Sequence, residues 1–482
     1  MEYFLMDNFR VRILLVEDDL AAIDAASLVL KGSQVAVTIT VANSRNDAIA
    51  FIEKEFFDFI VLDLTIPTSS GELDAAPQHG RAVFGQARAV APGTPVCLLT
   101  GSSVENFTDE LLASAHQMDI WGGGTVASVK LHRKFQLDTF INSISPYLEG
   151  FARLSNVELE VAGEPFDIEV DRLLRIFASM HNCVRCKASR LTGGLSGSAV
   201  LRIAIYNEAG APVHEAVAKV ASIAEVRKER DKYNGFVQRL PPGITPRLLA
   251  TYEFGGKATG AVFYGLAAGH IYDFFKLSAV LPDVCEAAVK ETSKGLAAWV
   301  QGSRETRRSV ADVRRTLLSD DKAEAIVNAF SLDWVDDFER RMVQVNWGCV
   351  HNDFHGANVL LDSDGRPAVI DYAEAREGPA SIDPVTLELS AMFHPDSPWI
   401  DNEWPKDKDA EDWGDLDKYL EDCPYPTFVR ACRLWADSLA IGKREIATSA
   451  YSYLLRQFKY DGTNKKRAAA LIIGARRLLE ST

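Results

Sequence analysis

From Val11 onward the chain alternates between two rhythms. Short apolar runs, RILLV, VAVTITV and DFIVLDL, are separated by longer amphipathic stretches, AAIDAASLVL and DAIAFIEKEF. Compact apolar runs bounded by turn residues read as buried strands, and apolar positions three and four apart read as helices. The same rhythm continues with RAVFGQARAV as a helix, PVCLLT as a strand, VENFTDELLASAHQ as a helix and LDTFINSISPYL as the last helix. The pattern predicts five βα units and an α/β domain with a five-stranded parallel sheet over residues 11–149.

Beyond residue 150 the rhythm changes. LSNVELEVAGEPFDIEVDRLLRIFASMHN reads as a short irregular connection followed by an amphipathic helix, with Val170, Leu173, Leu174, Ile176 and Phe177 on one broad face. Residues 150–184 are therefore assigned to a linker and this helix. From residue 185 strand-like runs dominate up to about 266, and helical patterns such as FVRACRLWADSLAIG and AALIIGARRLL dominate after it. This predicts a second domain, 185–482, of α+β type.

Composition narrows the function classes. A chain of 482 residues is too long for one hydrophobic core. Its 47% hydrophobic and 25% charged residues are an ordinary globular balance. A net charge of −15 opposes attraction to nucleic-acid phosphates or anionic lipid. No apolar run approaches the roughly 20 residues needed to span a bilayer, and the start is acidic where a signal peptide would be basic, so a cytoplasmic protein is expected. Seven scattered cysteines suit a reducing compartment. The single CxxC, Cys183 and Cys186, lacks the second pair that zinc requires and reads as buried thiols.

In a parallel α/β sheet the carboxyl ends of the strands meet in one crevice. Here the strand ends carry Glu17 with Asp18, then Asp63, then Thr100, then Arg133 with Lys134. Converging carboxylates repel each other unless a divalent cation sits among them, and an all-oxygen set suits Mg²⁺. This order of residues resembles the response-regulator receiver domain, which implies a flavodoxin-like fold for residues 11–149. The resemblance implies that Glu17 and Asp18 bind metal together with Asp63, that Asp63 accepts the phosphoryl group, and that Thr100 and Lys134 respond to it. Arg133 is an alternative register for the lysine. Two departures stand out: TIPTSSGELDAAPQHG is a long connection after Asp63, and Leu131 stands where relatives carry a switch aromatic.

The second half holds its own polar set. RLTGGLSGSAVLRIAIY carries a Gly-rich turn at Gly193, Gly194, Ser196 and Gly197, which lets backbone amides approach phosphate oxygens. Lys219 lies inside the apolar strand AVAKVA, where it needs an anionic partner. Glu229 or Glu225 on the following helix offers one, and Glu229 is preferred. Phe263 to Ala267 is the expected hinge. In CVHNDFHGANVLLDSDGRPAVIDYAEA, Asp353, Asn358 and Asp371 supply an acceptor-orienting carboxylate and oxygen ligands for Mg²⁺. The loop resembles that of aminoglycoside phosphotransferases and choline kinases, which implies a bilobal, protein-kinase-like fold with lobes at about 185–266 and 267–482. That likeness implies Asp353 as catalytic base, Asn358 and Asp371 as metal ligands, Lys219 with Glu229 as the nucleotide-phosphate pair and Asp383 as a structural acid, with His351 and His355 bracing the loop. The GGLSGS turn and the fusion to a receiver also resemble a ternary-complex-associated kinase-like domain of bacterial signalling and conflict systems.

Together the resemblances imply a two-component signalling protein in which phosphorylation of Asp63, by a cognate histidine kinase or a small phosphodonor, regulates transfer from ATP and Mg²⁺ to an unknown hydroxyl-bearing acceptor. A catalytically silent nucleotide- or protein-binding module is the alternative. A DNA-binding output would need a basic helix-turn-helix element, which the acidic second half lacks.

Overall fold

A computed structural model describes residues 3–5, 9–100, 116–134, 137–191, 199–266, 272–362 and 364–482. The chain forms two compact units, Met1–Arg230 with Leu248–Leu266, and Asp231–Arg247 with Ala267–Thr482.

The first unit opens with strand β1 (Tyr3–Leu5), β2 (Val11–Val16), helix α1 (Leu20–Lys31), β3 (Val37–Ala42), α2 (Arg45–Lys54), β4 (Phe59–Asp63), α3 (Pro77–Val90), β5 (Val96–Thr100), β6 (Val129–Arg133) and α4 (Leu137–Ser155). Local sequence explains the helix starts. The Asp19 side chain accepts the Ala21 and Ala22 amides ahead of α1, and Ser44 accepts the Asp47 amide at α2. Pro77 sits at the start of α3, where its missing N–H costs nothing.

Strands β3-β2-β4-β5-β6 form one sheet with every pairing parallel. This is the flavodoxin-like order, and it places a crevice at the carboxyl ends of β2 and β4. All five residues of β4 are buried, as expected of a central strand covered on both faces. The helix predicted over 104–117 falls mainly outside the described residues. Gln117 forms a short strand, Gln117–Met118, paired with Val126–Ala127 instead.

The stretch read as an irregular connection is ordered. Helix α4 runs on to Ser155, and Glu158–Ala162 forms β7, whose alternation of acidic and apolar side chains suits a strand with one face covered. Helix α5 (Ile168–Met180), β8 (Arg185–Arg190), β9 (Ala199–Tyr206), β10 (Pro212–Ser222), α6 (Ile223–Gly235), β11 (Leu248–Tyr252) and β12 (Thr259–Gly265) follow. A seven-stranded sheet runs β1-β7-β8-β9-β10-β12-β11. Its first two strands flank the receiver segment in sequence, so the five-stranded module is inserted between β1 and β7. Helix α5 packs on this sheet, with Phe177 stacked on Phe263 at 4.1 Å.

A buried ionic knot links the two sheets' surroundings. Asp58, just before β4, accepts the Arg12 amide at 2.8 Å and Arg172 Nε of α5 at 2.6 Å. Arg172 also reaches Asp171 at 2.7 Å and the Arg10 carbonyl at 2.7 Å.

The second unit is mainly helical. It includes helix α7 (Cys285–Val300), strands β13 (Arg304–Ser309), β14 (Met342–Val350), β15 (Val359–Leu361), β16 (Pro367–Val369) and β17 (Arg376–Pro379), and helices α8 (Ile382–Phe393), α9 (Pro426–Leu439), α10 (Lys443–Gln457) and α11 (Lys465–Ser481), of which the helices with β14, β15 and β16 share one large apolar core. Helix α8 is buried along its whole length, and the loop after β14 lies against it. No described helix is long and apolar enough to cross a membrane, and the seven cysteines are free thiols. Cys186 is buried in β8, which pushes its thiol up to about 12.

Candidate functional sites

The carboxyl ends of β2 and β4 bring Glu17, Asp18 and Asp63 together, with one oxygen of each within 4.8 Å of the others. Glu17 and Asp63 are buried and Asp18 is exposed. Lys134, directly after β6, places Nζ 2.8 Å from Glu17 and 2.9 Å from Asp63. Arg133 is the exposed neighbour, so geometry favours Lys134 in the pocket. Burial raises the pKa of both Glu17 and Asp63 above the usual carboxylate range, against the lowering effect of Lys134. Burial opposes the charge on Lys134, but its bonds to Glu17 and Asp63 outweigh that and raise its pKa.

The acid cluster suits a cation. Glu17 Oε2 is buried without a hydrogen-bond partner, and the donors are oxygen only, which matches Mg²⁺. Thr100 ends β5 as expected, while its side chain lies outside the described residues. Leu131 is exposed on β6. The long connection after Asp63 is an ordered loop: Ile66 bridges Ala76, the Asp74 carboxylate accepts the Thr68 amide at 2.9 Å, and Gly80 donates to the Leu64 carbonyl. A Cβ on Gly80 would meet Leu64 backbone atoms at 2.3 Å, so glycine is required there.

In the seven-stranded sheet, Lys219 on β10 lies 2.9 Å from Glu229 on α6. The Tyr264 hydroxyl donates to the other Glu229 oxygen at 2.9 Å. Glu225 is occupied elsewhere, accepting the Ser222 amide and hydroxyl at the start of the helix. Gly193, Gly194, Ser196 and Gly197 lie outside the described residues, as does Ala267 at the end of the expected hinge.

In the second unit, the segment His351–Asn358 leaves β14 as a tight loop. Asp383, at the start of α8, accepts the His351 amide at 2.8 Å and the Asn352 amide at 2.9 Å. Asn352 adopts a left-handed backbone, φ 67°, and its side chain donates to the Thr316 carbonyl. His351 Nε2 lies 2.9 Å from the Ile370 carbonyl. Asn358 donates from Nδ2 to the Asp353 carbonyl at 2.9 Å, which leaves its side-chain oxygen for a ligand. Asp371, with φ 60°, is exposed two residues beyond β16. The carbonyl end of Asn358 and the Asp371 carboxylate are hard oxygen donors of the kind Mg²⁺ takes.

His355 departs from expectation. Its Nδ1 is buried without a hydrogen-bond partner, and its ring instead packs against His394 at 4.2 Å. Burial pushes its pKa down to about 4, so it is neutral at physiological pH. Asp353 is ion-paired with Arg456 of α10 at 3.1 Å. Burial works against ionisation of Asp353, but Arg456, His355 and His351 outweigh it and hold its pKa below the usual range. Sequence reasoning missed Arg456. Its signal was a lone arginine in the otherwise apolar and small-residue run ATSAYSYLLRQF, the same kind of signal that singled out Lys219.

Residues 190–419 match the phosphotransferase enzyme family. No curated protein matches the chain. Among solved structures, it is similar to a CheY-like response regulator receiver domain protein from Methanospirillum hungatei JF-1, at 21% identity over 30% of this chain and 98% of that one, TM-score 0.23. It is also similar to aminoglycoside phosphotransferase APH(4)-Ia, at 15% identity over 61% of this chain and 93% of that one, TM-score 0.35. Aminoglycoside-3'-phosphotransferase of type VIII matches at 16% identity over 61% of this chain and all of its own, TM-score 0.37. By its own topology the chain holds a five-stranded parallel sheet of flavodoxin-like order and a separate α+β fold.

Proposed function

We propose that the chain is a two-component signalling protein in which Asp63 accepts a phosphoryl group and the second domain transfers phosphate from ATP to a hydroxyl-bearing acceptor. The observation that carries the reading is the loop His351–Asn358, locked by Asp383 beneath and by Asn358 behind, which fixes the backbone on which Asp353 sits. A rigid carboxylate of this kind orients an acceptor hydroxyl for in-line attack, and positioning supplies most of the rate in phosphoryl transfer.

In the receiver, an Asp63 oxygen attacks phosphorus, the bond to the donor breaks, and Lys134 compensates charge on the transferred group. Glu17, Asp18 and Asp63 would hold Mg²⁺. In the second domain the acceptor oxygen attacks the terminal phosphorus, its bond to the bridging oxygen breaks, and the acceptor proton passes to Asp353. Asn358 and Asp371 would hold Mg²⁺, which screens phosphate charge when bound. Lys219, steadied by Glu229, contributes a cation for the nucleotide phosphates.

A silent binding module is the second reading, and one observation favours it: Arg456 occupies an oxygen of Asp353. Purified protein with labelled ATP, Mg²⁺ and a lysate separates the two. Transfer that is lost in Asp353→Ala and Asp371→Ala supports the enzyme, and wild type that neither hydrolyses ATP nor labels an acceptor supports the module. Label from a small phosphodonor that persists in Asp63→Asn rejects the receiver assignment.

A further inference from the structure

The hairpin between β11 and β12 is gripped by the floor of the five-stranded module, all within the first unit. The Gly93 amide donates to the Lys257 carbonyl at 2.7 Å, and the Gly255 amide donates to the Gly93 carbonyl at 2.8 Å. A Cβ on Gly93 would meet the Lys257 oxygen at 2.7 Å and the Glu253 oxygen at 2.9 Å, so only glycine allows this approach. Lys257, at φ 60°, sends its ammonium to the carbonyls of Glu55 at 2.8 Å and Glu53 at 3.3 Å. Those carbonyls close α2, where the helix dipole favours a cation. Phe254 packs against the core cluster that includes Phe59, Ile120 and Ile176.

The same hairpin holds α6. Glu253 is largely buried and accepts Arg227 Nε at 2.6 Å and also Arg230, two guanidinium groups three residues apart on one face of α6. Glu229 lies between them in sequence and meets Lys219 from the neighbouring face. Gly93, Glu55 and the Asp58 knot all sit at the amino-terminal edge of the parallel sheet, while Asp63 sits at its carboxyl edge.

We propose that Glu253 is a positioning residue: anchored through Gly93 and Lys257 to the receiver floor, it sets α6 so that Glu229 meets Lys219. The receiver is then a working part of the lobe that carries this pair rather than a tethered accessory. The inference rests on reading Lys219 with Glu229 as the nucleotide-phosphate pair.

Hydrogen exchange of the full chain without ligand tests the anchor, and affinity for a fluorescent ATP analogue tests its consequence. Lys257→Ala and Glu253→Gln are expected to speed exchange across residues 223–235 roughly tenfold while 199–206 stays unchanged. Arg202→Ala, which breaks an exposed pair with Glu215, should do neither. Glu253→Gln should weaken the analogue in wild type and add nothing in a Glu229→Gln background, which a merely structural role would not produce. Unchanged exchange in both anchor variants overturns the proposal, as does an additive loss in the double variant. Faster exchange in a protein that binds no nucleotide keeps the anchor and removes the nucleotide reading.

Discussion

Arg456 Nη2 lies 3.1 Å from Asp353 Oδ1, across 103 residues of sequence. The pair keeps a half-buried carboxylate charged where burial alone would favour its protonation. Arg456→Met should therefore raise the Asp353 pKa and move the acid limb of the pH–rate profile for phosphate transfer to higher pH. Because the folded pKa is depressed, the stabilising contribution of Asp353 is present above its unfolded pKa and fades as pH falls through the folded value. The variant should accordingly lose stability at neutral pH and little in strong acid. Arg456→Lys should keep most of both. His355, with a pKa of about 4, should add no inflection near pH 6.5.

Asp383 tests the loop itself. The residue is 4% exposed, and its carboxylate satisfies two buried amides. Asp383→Ala leaves both without acceptors and should cost roughly 2–5 kcal/mol in urea unfolding. Asp383→Asn keeps one acceptor and should cost about half as much.

The receiver cluster predicts a metal effect on stability. Mg²⁺ at ten times its dissociation constant should stabilise the receiver by about 1.4 kcal/mol, read as a rise in Tm, and chelation should reverse it. Glu17 and Asp63 have raised pKa values, so protons compete with the metal above the usual carboxylate range and the rise should shrink in mild acid. Asp63→Asn should abolish most of it. Asp371→Ala, in the other unit, should leave it intact.

Arg172 tests how firmly the receiver is built into its unit. Its guanidinium is buried and bound to Asp58, Asp171 and the Arg10 carbonyl. Arg172→Met strands Asp58 without its cation and should cost roughly 3–5 kcal/mol, measured by urea unfolding followed at both the five-stranded and seven-stranded modules. Asp58→Asn with Arg172→Met together should recover part of that loss.

Much of the site was legible because the chemistry falls at strand ends. Glu17, Asp63 and Thr100 were readable from continuous apolar runs that stop at polar residues, and Asp353, Asn358 and Asp371 from one contiguous segment. What sequence could not carry was contact between distant positions. Arg172 and Asp58 are 114 residues apart, and neither has a local pattern that names the other. β1 is three residues long and becomes a strand only by pairing with β7, whose own acidic alternation resembles a polar connection until it is paired between β1 and β8. Glu253 likewise gains meaning only when α6 brings Arg227 and Arg230 over it.

The most direct test of the account is transfer of label from terminal-labelled ATP in Mg²⁺ to hydroxyl-bearing compounds of a cell extract, compared between wild type and Asp353→Asn. The account predicts a labelled product with wild type and a loss of at least about 100-fold in the variant, the scale of removing a positioned base. Equal labelling by the two proteins, or none by either, would contradict it.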